Sequence, residues 1–94
     1  MASRSTKPGA LGWLADRNPS RWRFPDGDIR MSRLAEDVGV ARTTLWRQMT
    51  AANCPSQKFV DSVLDVAEAT GVSRERADEA MFARTSRIVA ADLR

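Results

Sequence analysis

The chain has 94 residues, of which 43% are apolar and 29% are charged, and its formal charge at pH 7 is +3. This length and balance predict one small globular domain rather than a disordered chain. Histidine and tyrosine are absent and there is a single cysteine, which excludes a structural zinc site, an internal disulfide and a nucleophile–histidine pair. We therefore expect a small binding protein that uses no cofactor and is not an enzyme.

The sequence contains no sign of membrane targeting. No apolar run approaches the roughly 20 residues that a membrane-spanning helix needs, and the first residues lack the apolar core of a signal peptide. The lone Cys54 fits a reducing compartment. We expect a cytoplasmic protein without a membrane partner.

Positive charge is concentrated in the first third of the chain. Residues 1–33 hold seven basic and three acidic residues, a net charge of +4, and excess positive charge attracts phosphate backbones. Residues 1–9 are polar and contain a Pro-Gly pair, which predicts a flexible basic arm. Its Arg4 and Lys7 are candidate contacts to DNA phosphates.

The domain proper is predicted to span residues 10–84 as an all-α, compact bundle of about five short helices. The first helix covers about residues 10–17, and residues 18–28, with two prolines, form an ordered loop. A second helix covers about residues 29–38, with Asp28 as its N-cap.

The remaining helices follow from caps and periodicity. Gly39 supplies a tight turn, and a third helix covers about residues 42–50. Ser56 caps a helix that continues to the region of Gly71, and Ser73 caps another. Residues 85–94 form a tail that extends the last helix or makes a short strand. Its apolar residues are the candidate dimerisation surface: Ile88, Val89 and Leu93.

The segment LAEDVGVARTTLWRQM (34–49) carries the functional signal. Small Ala35 allows a close helix crossing, Gly39 turns the chain, and Val40 and Leu45 fill the angle between two short helices, a pattern typical of a helix-turn-helix. The segment resembles the helix-turn-helix of the phage repressor and Cro-like family, the lambda-repressor-like fold, including its small antitoxin-type members. The resemblance covers roughly residues 29–80.

This resemblance implies that the second helix of the motif enters the major groove of DNA. Arginine can bind guanine with two hydrogen bonds, and helix N-termini attract phosphate. The candidate base-reading residues are Arg42, Thr43, Trp46, Arg47 and Thr50. The candidate phosphate contacts are Arg30, Ser32, Arg33 and Thr44, together with Arg4 and Lys7.

The sequence allows two environments for each of three aromatic residues, a DNA contact or the protein core. Trp46 either contacts DNA, at a thymine methyl or the backbone, or folds back onto the 18–28 loop. Trp22 and Phe24 alternate with Arg21 and Arg23, which suits contact with a nucleic-acid backbone, but anchoring the loop to the core is the favoured interpretation.

A second segment, VAEATGVSRERADEAM (66–81), repeats the motif at an offset of 32 residues. Ala77 takes the place of Leu45, and acidic residues occupy the outer face, where they would repel phosphate. We expect this acidic copy to be structural.

The favoured function is a sequence-specific regulator of transcription, an autoregulating repressor that binds double-stranded DNA at a palindrome as a homodimer. One alternative is a DNA-binding accessory factor, excisionase-like or architectural. Another is a helix-turn-helix that binds a protein partner, as an antitoxin or antirepressor does.

Overall fold

Helices make up most of the part of the chain that the structure, a computed structural model, describes: residues 4–50 and 54–84. These ranges contain six helices and one two-stranded antiparallel sheet. The elements are β1 (Arg4–Thr6), α1 (Ala10–Asp16), α2 (Pro19–Trp22), α3 (Met31–Val38), α4 (Arg42–Gln48), α5 (Gln57–Glu68), α6 (Arg74–Met81) and β2 (Phe82–Arg84). The predicted predominance of helix is confirmed, whereas the sheet was not expected.

Two of the predicted helix caps are confirmed. The hydroxyl of Ser56 accepts a hydrogen bond from the backbone N–H of Phe59 at 3.2 Å, at the start of α5. The hydroxyl of Ser73 accepts one from the N–H of Arg76 at 3.2 Å, at the start of α6. Each bond satisfies one of the N–H groups that the first turn of a helix leaves unpaired.

The predicted cap at Asp28 is wrong. Helix α3 begins at Met31, and its N-cap residue, Arg30, makes no side-chain capping bond. Asp28 belongs instead to the preceding turn, where its carbonyl oxygen accepts a 2.7 Å hydrogen bond from the N–H of Phe24. The turn therefore uses the backbone of Asp28, and α3 starts two residues later than a cap at Asp28 would place it.

The connection between α3 and α4 is as tight as its glycine predicts. Gly39 has φ of 90°, a conformation that side chains with a Cβ rarely adopt. The N–H groups of Gly39 and Val40 both donate to the carbonyl of Ala35, at 2.8 and 3.0 Å, which satisfies the end of α3. The two helices pack against each other, with Leu45 fully buried.

The core lies along α5, the longest of the described helices. Its apolar side chains are buried, and the helix packs against α3 and α6. The largest fully buried apolar side chains come from five of the helices, which gives one continuous cluster. They are Leu14, Leu34, Leu45, Val60, Val63 and Met81.

The proline-containing loop is only partly irregular. Residues 19–22 form the short helix α2, with Pro19 at its first position, where the missing N–H costs nothing. Trp22 is buried, so its predicted anchoring role is confirmed. Phe24 is 45% exposed, and the prediction that it anchors the loop in the core is wrong.

The prediction of a flexible arm is also wrong for the part that the structure describes. Residues 4–6 form β1, which pairs with β2 in the register Thr6↔Phe82. The buried hydroxyl of Thr6 donates a 2.8 Å hydrogen bond to the carbonyl of Gln48, the last residue of α4. Residues 1–3 lie outside the described residues, as does the proposed dimerisation segment with Ile88, Val89 and Leu93.

Replacing Thr6 with valine tests this junction. The variant keeps the side-chain shape but removes the donor to the Gln48 carbonyl, so we expect the free energy of unfolding to fall by about 1–2 kcal/mol. Urea denaturation measures the change. Thr43→Val makes the same chemical change at an exposed position and should alter stability by less than about 0.5 kcal/mol. Equal effects of the two substitutions would contradict the role of the Thr6 hydroxyl.

Candidate nucleic-acid interface

A groove of about 600 Å³ lies between residues 24–33 and the first half of α4. We call it the α3–α4 groove, because residues at or next to the starts of these two helices form most of its wall. It is lined by Phe24, Ile29, Arg30, Met31, Ser32, Arg33, Arg42, Thr43 and Trp46. Six of these were predicted as DNA contacts from the sequence, so the structure brings together candidates from both helices.

The charged groups of the α3–α4 groove all have the same sign. Arg30, Arg33 and Arg42 line it, and its lining includes no carboxylate. One guanidinium nitrogen of Arg42 lies 3.5 Å from the hydroxyl of Ser32, to which it donates. The start of α4 is thereby linked to the start of α3.

Arg30 is held at the edge of the groove by two contacts. Its Nε donates to the carbonyl of Arg23 at 3.1 Å, and its guanidinium carbon lies 4.5 Å from the centre of the Phe24 ring. A cation over an aromatic face is a favourable contact. It holds Phe24 against Arg30 while the ring stays at the surface.

Trp46 does not fold into the core. It is 61% exposed, and it and Phe24 are the large apolar side chains that the described part of the chain leaves exposed. Both line the α3–α4 groove. The alternative in which Trp46 packs as core is therefore wrong, and the groove combines guanidinium groups with two exposed aromatic rings.

Packing of α4 determines which of its residues face the groove. Leu45 and Met49 are buried, so residues on the other side of the helix face outward. Arg42, Thr43 and Trp46 belong to that outer side.

Other predicted contacts on α4 lie outside the groove. Arg47 is exposed but does not line the α3–α4 groove. The hydroxyl of Thr50 donates to the carbonyl of Trp46 at 2.6 Å. Thr44 is half-buried in a separate cleft beside α5, which Lys58 also lines. The structure therefore collects the first turn of α4 at the groove but not its far end.

The two predicted contacts of the N-terminal segment lie elsewhere. Arg4 is 3.0 Å from the carboxylate of Asp78 and donates to the side chain of Gln57. The ammonium of Lys7 donates to the carbonyl of Glu79 at 2.6 Å. Arg4 is thus bound to α5 and α6 and Lys7 to α6, and neither residue lines the α3–α4 groove.

The sequence analysis did not predict a polar junction between α2 and α3. Arg21 makes two hydrogen bonds to Asp37, at 2.6 and 2.7 Å, and the indole N–H of Trp22 donates to the same carboxylate at 2.6 Å. The hydrogen bonds from Arg21 lower the pKa of Asp37 below its ordinary value of 3.8; partial burial opposes this shift, and the Trp22 bond adds to it. The junction fixes α2 to α3, and no spacing in the sequence signals it.

This junction predicts a pH-dependent stability. Because the pKa of Asp37 is lower in the folded chain, its contribution is present above its ordinary pKa and is lost as the pH falls through the folded value. We expect the wild type to lose more stability than Asp37→Asn between about pH 6 and about pH 3. Parallel pH dependences in denaturation experiments would contradict this.

Asp37→Ala removes the carboxylate that accepts hydrogen bonds from Arg21 and Trp22. It leaves the indole N–H of buried Trp22 without its carboxylate, and we expect it to cost about 1–3 kcal/mol near neutral pH. Asp37→Asn keeps one oxygen acceptor and should cost less. Calorimetric melting of the two variants measures the difference, and equal losses would show that the amide oxygen of asparagine does not replace the carboxylate as acceptor for Trp22.

The acidic copy of the motif is built differently. Arg74, which corresponds to Arg42, lies within 2.9 Å of three carboxylates, and its hydrogen bonds to them raise its pKa. These carboxylates belong to Asp61, Asp65 and Glu68. A guanidinium surrounded by three carboxylates is poorly suited to contact phosphate.

The described residues contain neither a candidate metal site nor a membrane-spanning helix. No group of three or more Cys, Asp or Glu side chains in residues 4–50 and 54–84 is placed to hold a metal ion. No helix in these same ranges has the length and apolar character needed to cross a membrane.

Comparison with known proteins adds no relative. No family model matches the chain, and neither the curated proteins nor the solved structures contain a match. The resemblance to Cro-like repressors therefore rests on the residues of the motif.

Proposed function

We propose that the protein is a sequence-specific regulator that binds double-stranded DNA through a helix-turn-helix formed by α3 and α4, in the manner of lambda-repressor-like proteins. The observation that carries the proposal is the α3–α4 groove. It presents three arginines and two exposed aromatic rings, and no carboxylate lines it. Clustered arginine with aromatic residues and no opposing charge suits a surface that contacts a polyanion.

The geometry of the groove supports a division of roles. The exposed side of α4 would lie in the major groove, where Arg42 can bind the O6 and N7 atoms of guanine. Ser32 and Arg33 lie in the first turn of α3, where unpaired N–H groups and the helix dipole attract a phosphate. Arg33 would then supply affinity for any sequence, and Arg42 would supply preference for one.

The mode of action follows from the short stretch of DNA that one helix can read. One reading helix covers only a few base pairs, so we expect two copies to bind half-sites about 34 Å apart on a palindrome. The tail containing Ile88, Val89 and Leu93 is the candidate dimer surface. An autoregulating repressor of this kind would be controlled by its own concentration.

Binding to the DNA that flanks the protein's own gene tests this function. At about 150 mM salt, where non-specific electrostatic binding is weakened, we expect a preference of about 1,000-fold over unrelated DNA of equal length. A symmetric footprint would support the dimer. Equal binding to both DNAs, with bending of the duplex, would instead favour an architectural accessory factor.

The exposed aromatic rings favour one further candidate function. Solvent-exposed apolar groups also mark protein interfaces, and Phe24 and Trp46 give the α3–α4 groove that character. A chain that binds no DNA, even at low salt, would be better explained as an antitoxin or antirepressor that uses this groove to hold a protein.

A further inference from the structure

We propose that the α3–α4 groove recognises the C5-methyl group of a pyrimidine in the major groove of DNA, with Trp46 as the contacting residue. The inference rests on the proposed function and adds a chemical specificity to it. It predicts that each half-site carries a methylated pyrimidine, thymine or 5-methylcytosine, close to the guanine that Arg42 binds.

One side of the α3–α4 groove is apolar. Trp46 is 61% exposed, Phe24 is 45% exposed, and Ile29 and Met31 complete the apolar lining. In the major groove, base edges present hydrogen-bond donors and acceptors, with the C5-methyl of thymine as the exception. The apolar face of an indole ring pressed against a donor or acceptor would leave that group without water or a partner, which is costly. The C5-methyl group is the base feature that gains from contact with Trp46.

Helix geometry limits the distance between the two contacts. Arg42 and Trp46 both line the groove and are four residues apart on α4. Four residues of α-helix rise about 6 Å, which corresponds to about two base pairs at a spacing of about 3.4 Å. The methylated pyrimidine should therefore lie within about two base pairs of the guanine.

The apolar wall is partly ordered before DNA binds. Arg30 lies over the Phe24 ring and is itself hydrogen-bonded to the backbone of Arg23. The backbone of Trp46 lies inside α4, which is anchored to the core by buried Leu45. Less conformational freedom is then lost when a methyl group enters, so a small apolar contact can contribute to affinity.

The experiment selects binding sites from random duplex libraries and then removes one methyl group. One library is unmodified, so that thymine is its source of C5-methyl groups, and a second is methylated at CpG, which adds 5-methylcytosine. In the best site, uracil replaces the enriched thymine, or cytosine replaces the enriched 5-methylcytosine. Affinities are measured for the wild type, for Trp46→Ala and for Arg33→Ala, with melting curves to check that each variant is folded.

We expect loss of the methyl group to weaken wild-type binding by about fourfold, as removal of one buried apolar carbon predicts. Trp46→Ala should bind the two DNAs almost equally. Arg33→Ala should bind both more weakly but keep the fourfold ratio, because its contact is to phosphate. Trp46→Leu, which retains an apolar side chain, should keep most of the ratio.

Three results would overturn the inference while leaving the proposed function intact. They are an enriched site with no methylated pyrimidine near the guanine, equal wild-type affinity for the two DNAs, and an unchanged ratio in Trp46→Ala. Failure to enrich any sequence would overturn the proposed function, and this inference with it.

Discussion

Replacing Leu45 with alanine is expected to lower the free energy of unfolding by about 3 kcal/mol, as for other fully buried leucines. Leu45 has no exposed surface and lies where α3 packs against α4. The loss combines the apolar surface removed with the cavity left behind. Domains of this size are stable by only about 5–15 kcal/mol, so the effect is large. Urea denaturation measured beside the wild type gives the value.

The control for this experiment lies on the same helix. Thr43→Ala truncates an exposed side chain and should change stability by less than about 0.5 kcal/mol. A cost below about 1 kcal/mol for Leu45→Ala would mean that the corner between α3 and α4 collapses around the smaller side chain, contrary to a rigidly positioned α4.

The second large effect is expected on DNA recognition. Arg42→Ala should reduce affinity for the selected site by about 10- to 100-fold and relax preference at one base pair, because a two-bond contact to guanine contributes about 1–3 kcal/mol of discrimination. Arg33→Ala should weaken binding to all sequences alike and reduce the salt dependence by about one counterion. Competition binding over a series of salt concentrations separates the two.

The matched pair makes the assignment of roles testable. Both arginines line the α3–α4 groove, so a difference between them cannot come from net charge alone. If Arg42→Ala weakened every sequence equally, Arg42 would be a phosphate contact and not a base reader.

Features set by a few neighbouring residues were predictable from the sequence. The caps at Ser56 and Ser73 and the turn at Gly39 follow from local chemistry, and each is present. Asp28 fails by the same criterion, because the side chain of Asp26 accepts from its N–H and the backbone of the turn takes its carbonyl. A helix cap and a turn both suited Asp28, and the sequence does not show which of the two is more stable.

Features that depend on distant partners were not predictable. The three-residue strands carry too short a pattern to be recognised, and their pairing joins Ser5 to Ala83, 78 positions away. The same non-local packing binds Arg4 to Asp78, so a basic segment that resembled a free arm lies against α6. For the candidate site, periodicity identified the outward residues of α4, but only the packed loop could bring Phe24 beside them.

The closure of the sheet has a consequence for synthesis of the chain. Translation makes β1 first and β2 only after all six described helices, so β1 has no strand partner until residues 82–84 leave the ribosome. Until then nothing in the sheet holds Thr6 in place to donate to the carbonyl at the end of α4. The Thr6 contact at the end of the helix that we assign to DNA therefore depends on residues made long after that helix. A nascent chain stopped before β2 carries α4 without a strand to hold the donor to the carbonyl of its last residue, Gln48.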